Sequence, residues 1–221
     1  MSVTVDRILR SKRKTIALIV ENDGSVSVRA PMRMSATDIQ KFVAKHANWV
    51  IKKQTEIRAM PRTQPKKYVP GETFLYLGRE YALEAMEGQQ KKLVLEDGFK
   101  IARSVLGDAE LVFRNWYRQQ SREIIEERAA FLAGKHAFHY DRIRITSART
   151  RWGSCSANGT LSFSWRLIMT PLDIVDYVII HELAHTVHHN HSKRFWGLVE
   201  KILPDYKDRR KRLKQYGKQV L

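Results

Sequence analysis

Eleven consecutive residues concentrate the groups able to do chemistry: His181-Glu182-Leu183-Ala184-His185-Thr186-Val187-His188-His189-Asn190-His191. Two histidines four positions apart on a helix lie about 40° apart around its axis and about 6 Å along it, so they project from one face. An H-E-x-x-H segment holds one metal ion between its imidazoles, and zinc is the expected ion. The glutamate beside the first histidine is placed to act as general base toward a water the ion activates. Catalytic zinc takes a third protein ligand and keeps one position open. His188 shares the helical stripe but lies about 10 Å along the axis from His181, too far to join one coordination sphere on a regular helix. His191 follows a break at Asn190 and can fold back toward the ion. Glu200, on the next helical stretch, is a carboxylate alternative. The preferred set is His181, His185 and His191 as metal ligands with Glu182 as catalytic base. Glu200 stays open as the rival to His191, and His188 and His189 fall outside the coordination sphere.

The elements that must position these groups are legible around them. Thr170-Pro171 reads as the start of a helix. Its residues Ile174, Val175, Tyr177, Val178, Ile179, Ile180, Leu183 and Ala184 are apolar almost all round, the pattern of a buried helix. Burying histidines and a glutamate there is unfavourable unless they serve a metal. Asn190 is expected as a left-handed C-terminal residue that turns the chain back. Ser192 then caps a helix over Lys193–Leu203 with Phe195, Trp196, Val199 and Leu203 on its apolar face, stopped by Pro204. A basic helix follows from Asp205 to Gly217. Upstream, a long helix spans about 111–138, Arg142–Thr146 alternates as a strand, and Arg151–Ser156 pairs with Thr160–Trp165 across Ala157-Asn158-Gly159.

The first hundred residues read as mainly β. A hairpin forms around Asn22-Asp23-Gly24, extended by a strand near Val3–Leu9. One helix over 36–59 begins with capping-box spacing at Ser35 and Asp38 and carries Ile39, Phe42, Val43, His46, Trp49 and Val50 at helical period. His46 on that stripe reads as a partly buried structural residue. Pro61, Pro65, Pro70 and Gly71 mark a stiff connection, followed by short strands at Thr73–Leu77, Tyr81–Ala85, Lys92–Leu95 and Phe99–Ala102. The expected organisation is α+β, with a β-rich N-terminal region (1–105) and a catalytic core with a basic last helix (106–221).

The 221 residues carry 40 Lys and Arg against 23 Asp and Glu, a net charge of +17. Such a surface attracts polyanions, so nucleic acid or nucleotide contact is a partner class to test. The run Arg10-Ser11-Lys12-Arg13-Lys14 reads as a solvated turn, and the last helix as a solvated face with polyanion binding as its alternative. No stretch approaches the roughly 18 apolar residues of a membrane span. Met1–Arg7 has no secretory pattern, and a single cysteine suits a reducing compartment, so the cytoplasm is expected. Cys155 reads as a small packing residue of the hairpin rather than a thiolate on the metal.

Four segments extend the motif: Arg151-Trp152-Gly153-Ser154-Cys155-Ser156, Leu161–Leu167, Asp176–His185 and Asn190–Trp196. Together they resemble the YgjP-like metallopeptidase family and, more remotely, the SprT-like and WLM-type peptidases, over about Thr4 to Leu213. The resemblance implies a zinc hydrolase with His181, His185 and His191 as ligands, Glu182 as base, and a short sheet beside the active-site helix. The hairpin Arg151–Trp165 would supply that sheet's edge, where an extended peptide or protein substrate pairs. The SprT-like and WLM-type peptidases act on proteins attached to DNA, but their DNA-binding appendages have no counterpart here. Two other readings stand beside a peptidase. One is a metal-dependent nucleotide or phosphoanhydride hydrolase. The other is a basic nucleic-acid-associated protein whose zinc is structural, closed by four protein ligands.

Overall fold

The computed structural model describes residues 3–21, 23–58 and 66–220. The chain is α+β and divides into two compact units, Met1–Gln64 and Pro65–Leu221.

In the first unit, β1 (Arg7–Ser11), β2 (Ala17–Val20) and β3 (Val26–Pro31) form a sheet in the order β1-β3-β2, with β1 parallel and β2 antiparallel to β3. Of the hairpin signal, Asn22 lies outside the described residues; Gly24 carries the turn with φ +87°. Val28 and Ala30 pack on Ile39 and Val43 of α1 (Ala36–Lys45). Ser35 caps α1, its hydroxyl accepting from Asp38 N–H at 3.0 Å. The single helix expected over 36–59 is two, α1 and α2 (Ala47–Arg58), broken at His46. The reason is local. The His46 ring Nδ1 lies 2.8 Å from the Phe42 carbonyl, the acceptor its backbone N–H would use, and that N–H bonds Val43 instead. The proline connection is outside the described residues at Pro61 and Pro65.

The second unit begins with a four-stranded sheet, β4 (Thr73–Tyr76), β5 (Arg79–Met86), β6 (Leu93–Leu95) and β7 (Phe99–Ala102), in the order β4-β5-β7-β6. Residues 65–105, grouped by sequence with the N-terminal segment, cluster with the second unit. Phe74, Leu83 and Phe99 share one core with Phe113 and Tyr117 of α3 (Ala109–His136), and Phe74 stacks on Phe113 with ring centres 4.2 Å apart. The second sheet, β8 (Arg142–Thr146), β9 (Gly153–Cys155) and β10 (Thr160–Ser164), runs in the order β8-β10-β9, so β9 is one of its two edge strands.

The buried helix α4 (Leu172–Ala184) packs against α3 and β9 and is followed by α5 (Lys193–Ile202) and α6 (Tyr206–Val220), which also pack on it. Its start is held from several sides. Leu77 and Gly78 N–H donate to the carbonyls of Ile168 and Met169 at 2.7 and 3.2 Å, and Gly78 abuts Pro171 so closely that a Cβ would stand 2.5 Å from Cγ. Arg128 of α3 grips Asp176 through two hydrogen bonds of 2.8 and 2.6 Å. Arg212 of α6 binds Asp173 at 2.6 Å, and Arg209 donates to the Asp173 carbonyl at 2.8 Å. Bidentate, charge-assisted pairs of this kind set a helix's rotation as well as its position. Ile174, Val175, Ile179, Ile180, Leu183 and Ala184 are fully buried, which fixes the face that His181 and His185 present.

Candidate metal centre

α4 ends at Ala184 and His185 forms its C-cap. Asn190 does not take the expected left-handed conformation: the positive-φ residues other than glycine are Tyr68, Leu77 and Ala137 among the described residues. The helix instead tightens, with His185, Thr186 and Val187 N–H each donating three residues back, to Glu182, Leu183 and Ala184. This tightened exit, followed by Ser192 capping α5, returns His191 to the end of the helix.

The three preferred histidines come together. His191 Nε2 lies 3.0 Å from His181 Nε2 and 3.2 Å from His185 Nε2. Their three ligand atoms all fall within 4.8 Å of one another. Ligands about 2.0–2.1 Å from a tetrahedral zinc are about 3.3–3.4 Å apart, so this triangle is close to the size one ion requires. The tautomer also suits a ligand. His185 Nδ1 faces the His188 carbonyl at 3.0 Å, and a carbonyl only accepts, so Nδ1 carries the proton and Nε2 presents its lone pair. His188 thus contributes through its backbone, orienting His185. Glu200 is exposed, bonds Lys207 at 3.3 Å, and is not part of the histidine cluster.

The electrostatics favour the neutral form of His181 and of His191. Burial, then the neighbouring His185 and His191, push His181 down to about 3. Burial and His185 also lower His191. Glu182 behaves oppositely: only 5% exposed, its carboxyl is pushed up to about 8 by burial, against a smaller opposing pull from Arg151. A dication beside it would favour the carboxylate again. The donor set and its spacing fit a divalent metal ion. Cys155 does not join it. Its thiol is raised by burial and by Glu182, and Sγ contacts the Ser156 carbonyl at 3.4 Å.

Two features escaped the sequence reading. Phe195 packs against all three histidine rings, with centroids 5.0, 4.5 and 4.8 Å from His181, His185 and His191. Trp196 stacks on His191 at 5.5 Å and on Tyr206 at 5.3 Å, with the Arg210 guanidinium 5.0 Å from its ring centre. The aromatic pair was visible as the apolar face of α5, but its contact with the ligands was not. The second feature is Gly153. A Cβ there would stand 2.6 Å from Glu182 Oε1, so strand β9 passes directly against the base.

The family model of the YgjP-like metallopeptidase domain matches residues 14–216. The chain belongs to the YgjP-like metallopeptidase family. The family's domain therefore takes in parts of both compact units, from β2 through most of α6, and makes this protein a metal-binding hydrolase. Among solved structures, the chain is similar to the metallopeptidase zymogen abylysin of Pyrococcus abyssi, with 23% identity over 42% of this chain and 93% of that one, at a TM-score of 0.39. Comparison with functionally curated proteins gives no match.

Proposed function

We propose that this metallopeptidase is zinc-dependent and cleaves peptide bonds with His181, His185 and His191 as ligands and Glu182 as general base. The observation that carries the reading is the approach of His191 Nε2 to those of His181 and His185, 3.0 and 3.2 Å away, with the buried Glu182 carboxyl on α4. Zinc held there would supply a Lewis acid that polarises the scissile carbonyl and makes water at its open position acidic. Glu182 takes the proton from the attacking water and delivers it to the leaving amine. Gly153, lacking a side chain, leaves the space that the Glu182 carboxyl occupies.

The edge strand holds the substrate. Trp152 and Ser164 share a hydrogen bond of 2.8 Å, and Ser156 and Thr160 one of 3.0 Å. Alternation along an antiparallel pair then turns the backbone groups of Gly153 and Cys155 away from β10. An extended peptide pairing with these groups lies beside Glu182, which favours a peptide or protein substrate over a nucleotide. A reducing compartment such as the cytoplasm suits the free Cys155.

The test is hydrolysis of an unstructured peptide panel, with nucleoside triphosphates alongside, by zinc-loaded wild type and Glu182→Gln. The variant should retain one zinc and lose at least about 100-fold in kcat. Wild-type activity from the variant, or turnover of nucleotides and not of peptides, overturns the reading.

A further inference from the structure

The first unit separates its charges along its sheet. Residues 1–64 carry 13 Lys and Arg against five Asp and Glu, and neither 7–20 nor 25–37 contains an acidic residue. Because β1 and β3 are parallel, Ser11 lies beside Pro31 and both strands end on the same side of the sheet. Because β3 lies between β1 and β2, the connection carrying Lys12-Arg13-Lys14 must cross the end of β3, where Met32 and Arg33 leave it. Arg10 joins these two turns, its guanidinium donating to the carbonyls of Pro31, Met32 and Met34 at 3.3, 3.2 and 2.6 Å. Arg29 pairs beside Leu9 one step back along the same strands.

The acidic groups sit elsewhere or are engaged. Asp6, Glu21 and Asp23 lie at the opposite end, where Asp6 binds Val26 N–H at 2.6 Å, Glu21 accepts from the Ser27 hydroxyl at 2.7 Å, and Asp23 accepts from Ser25. Asp38 accepts from the Ser35 hydroxyl at 2.6 Å. Among the described residues of this unit the ion pair is Lys53–Glu56, so Lys12, Lys14, Arg29 and Arg33 have no acidic partner there. The last helix, where the basic run is denser in sequence, differs. Lys207 pairs with Glu200, Arg209 with Asp205, Arg212 with Asp173, and Arg210 lies over Trp196.

We propose that the basic end of the first unit, formed by Lys12, Arg13, Lys14, Arg29 and Arg33 around the Arg10 staple, binds the phosphodiester backbone of nucleic acid. Cations left unpaired on two adjacent turns offer several phosphate contacts at once, without base readout. The exposed apolar residues nearby are Ile8, Leu9 and Met32, 47%, 43% and 58% exposed. Ile8 and Leu9 are successive strand residues pointing to opposite faces, so at most one of them shares a side with Met32, too little apolar surface to anchor in a bilayer.

The test is fluorescence anisotropy of the full zinc-loaded chain with a labelled single-stranded DNA of about 20 nucleotides, repeated across salt concentrations. Wild type should bind with log affinity falling about 2–4 units per unit of log salt, as for three to five phosphate contacts. Lys12→Glu with Lys14→Glu should weaken binding at least tenfold at 0.1 M salt and flatten the slope, with peptidase activity unchanged. Lys211→Glu with Lys214→Glu, an equal change of charge on exposed lysines of α6, should change affinity less than threefold. Equal losses from the two pairs, no binding at low salt, or tighter association with phosphatidylserine vesicles than with the DNA overturns the proposal.

Discussion

Gly153 lies against Glu182 with no room between them: a Cβ on Gly153 would be 2.6, 2.7 and 2.9 Å from Oε1, Cγ and Cδ of the glutamate. The edge strand and the base therefore fit only because the strand has hydrogen at this position. Gly153→Ala forces a shift, and the atoms it meets are the far end of a flexible side chain. The fold should lose little, on the order of 1 kcal/mol, while the displaced carboxyl lowers kcat at least tenfold. Thermal unfolding and kcat measured on the zinc-loaded variant check this, and unchanged kcat refutes the contact's role.

The proposed ligands differ in burial, which separates metal binding from folding. His191 is exposed, whereas His181 is partly buried on α4. His191→Ala should weaken zinc binding by at least about 100-fold while the metal-free protein keeps its stability within about 0.5 kcal/mol. Zinc titration by calorimetry and unfolding of both metal-free proteins make the comparison. Chelation of wild type should lower Tm, since an ion that binds only the folded state adds stability by mass action.

How much of this was readable follows from the range of the interactions involved. The meeting of His181 with His185 was legible because helical spacing puts both on one face, and that of His191 with them because a short excursion can return only so far. The apolar run from Ile174 to Ala184 announced a buried helix, and α4 is one. Gly153 against Glu182 was not legible, because it depends on where a strand thirty residues upstream crosses the helix. The grip of Arg128 on Asp176, 48 positions apart, was hidden for the same reason. The break at His46 defied the apolar period because a side chain competing for one carbonyl leaves no trace in hydrophobic pattern. The cations of α6 read as a solvated or polyanion-binding face, whereas Arg209 and Arg212 hold α4.

That grip predicts a structural effect at a distance from the chemistry. Asp176 and Arg128 have side chains only 17% and 27% exposed, and their pairing holds the Arg128 guanidinium's proton more tightly. Asp176→Asn keeps the shape and removes the charge, leaving a partly buried guanidinium without its counter-ion. The expected loss is about 1–3 kcal/mol, measured by denaturant unfolding. Arg128→Met, which also removes the second charge, should recover part of it in the double variant. A double variant no more stable than Asp176→Asn alone contradicts this account.

The last prediction concerns pH in the metal-free protein. Glu182 is raised from 4.5 to about 8, so between those values the folded state holds a proton that the unfolded state has released. Stability from this group therefore falls as pH rises through that window. His181 is lowered from 6.5 to about 3, so the unfolded state holds the extra proton and stability rises with pH from 3 to 6.5. The two oppose each other between 4.5 and 6.5. Above 6.5 the glutamate acts alone, and metal-free stability should drop by about 2 kcal/mol between pH 6.5 and 8. Glu182→Gln has no such proton to lose, so the drop should vanish in that variant. Zinc should abolish it too, because a dication beside the carboxylate holds it ionised in the folded state. Denaturant unfolding at pH 6.5 and 8 with chelator, then with zinc, decides it. A drop of equal size in Glu182→Gln would assign the pH dependence to another group.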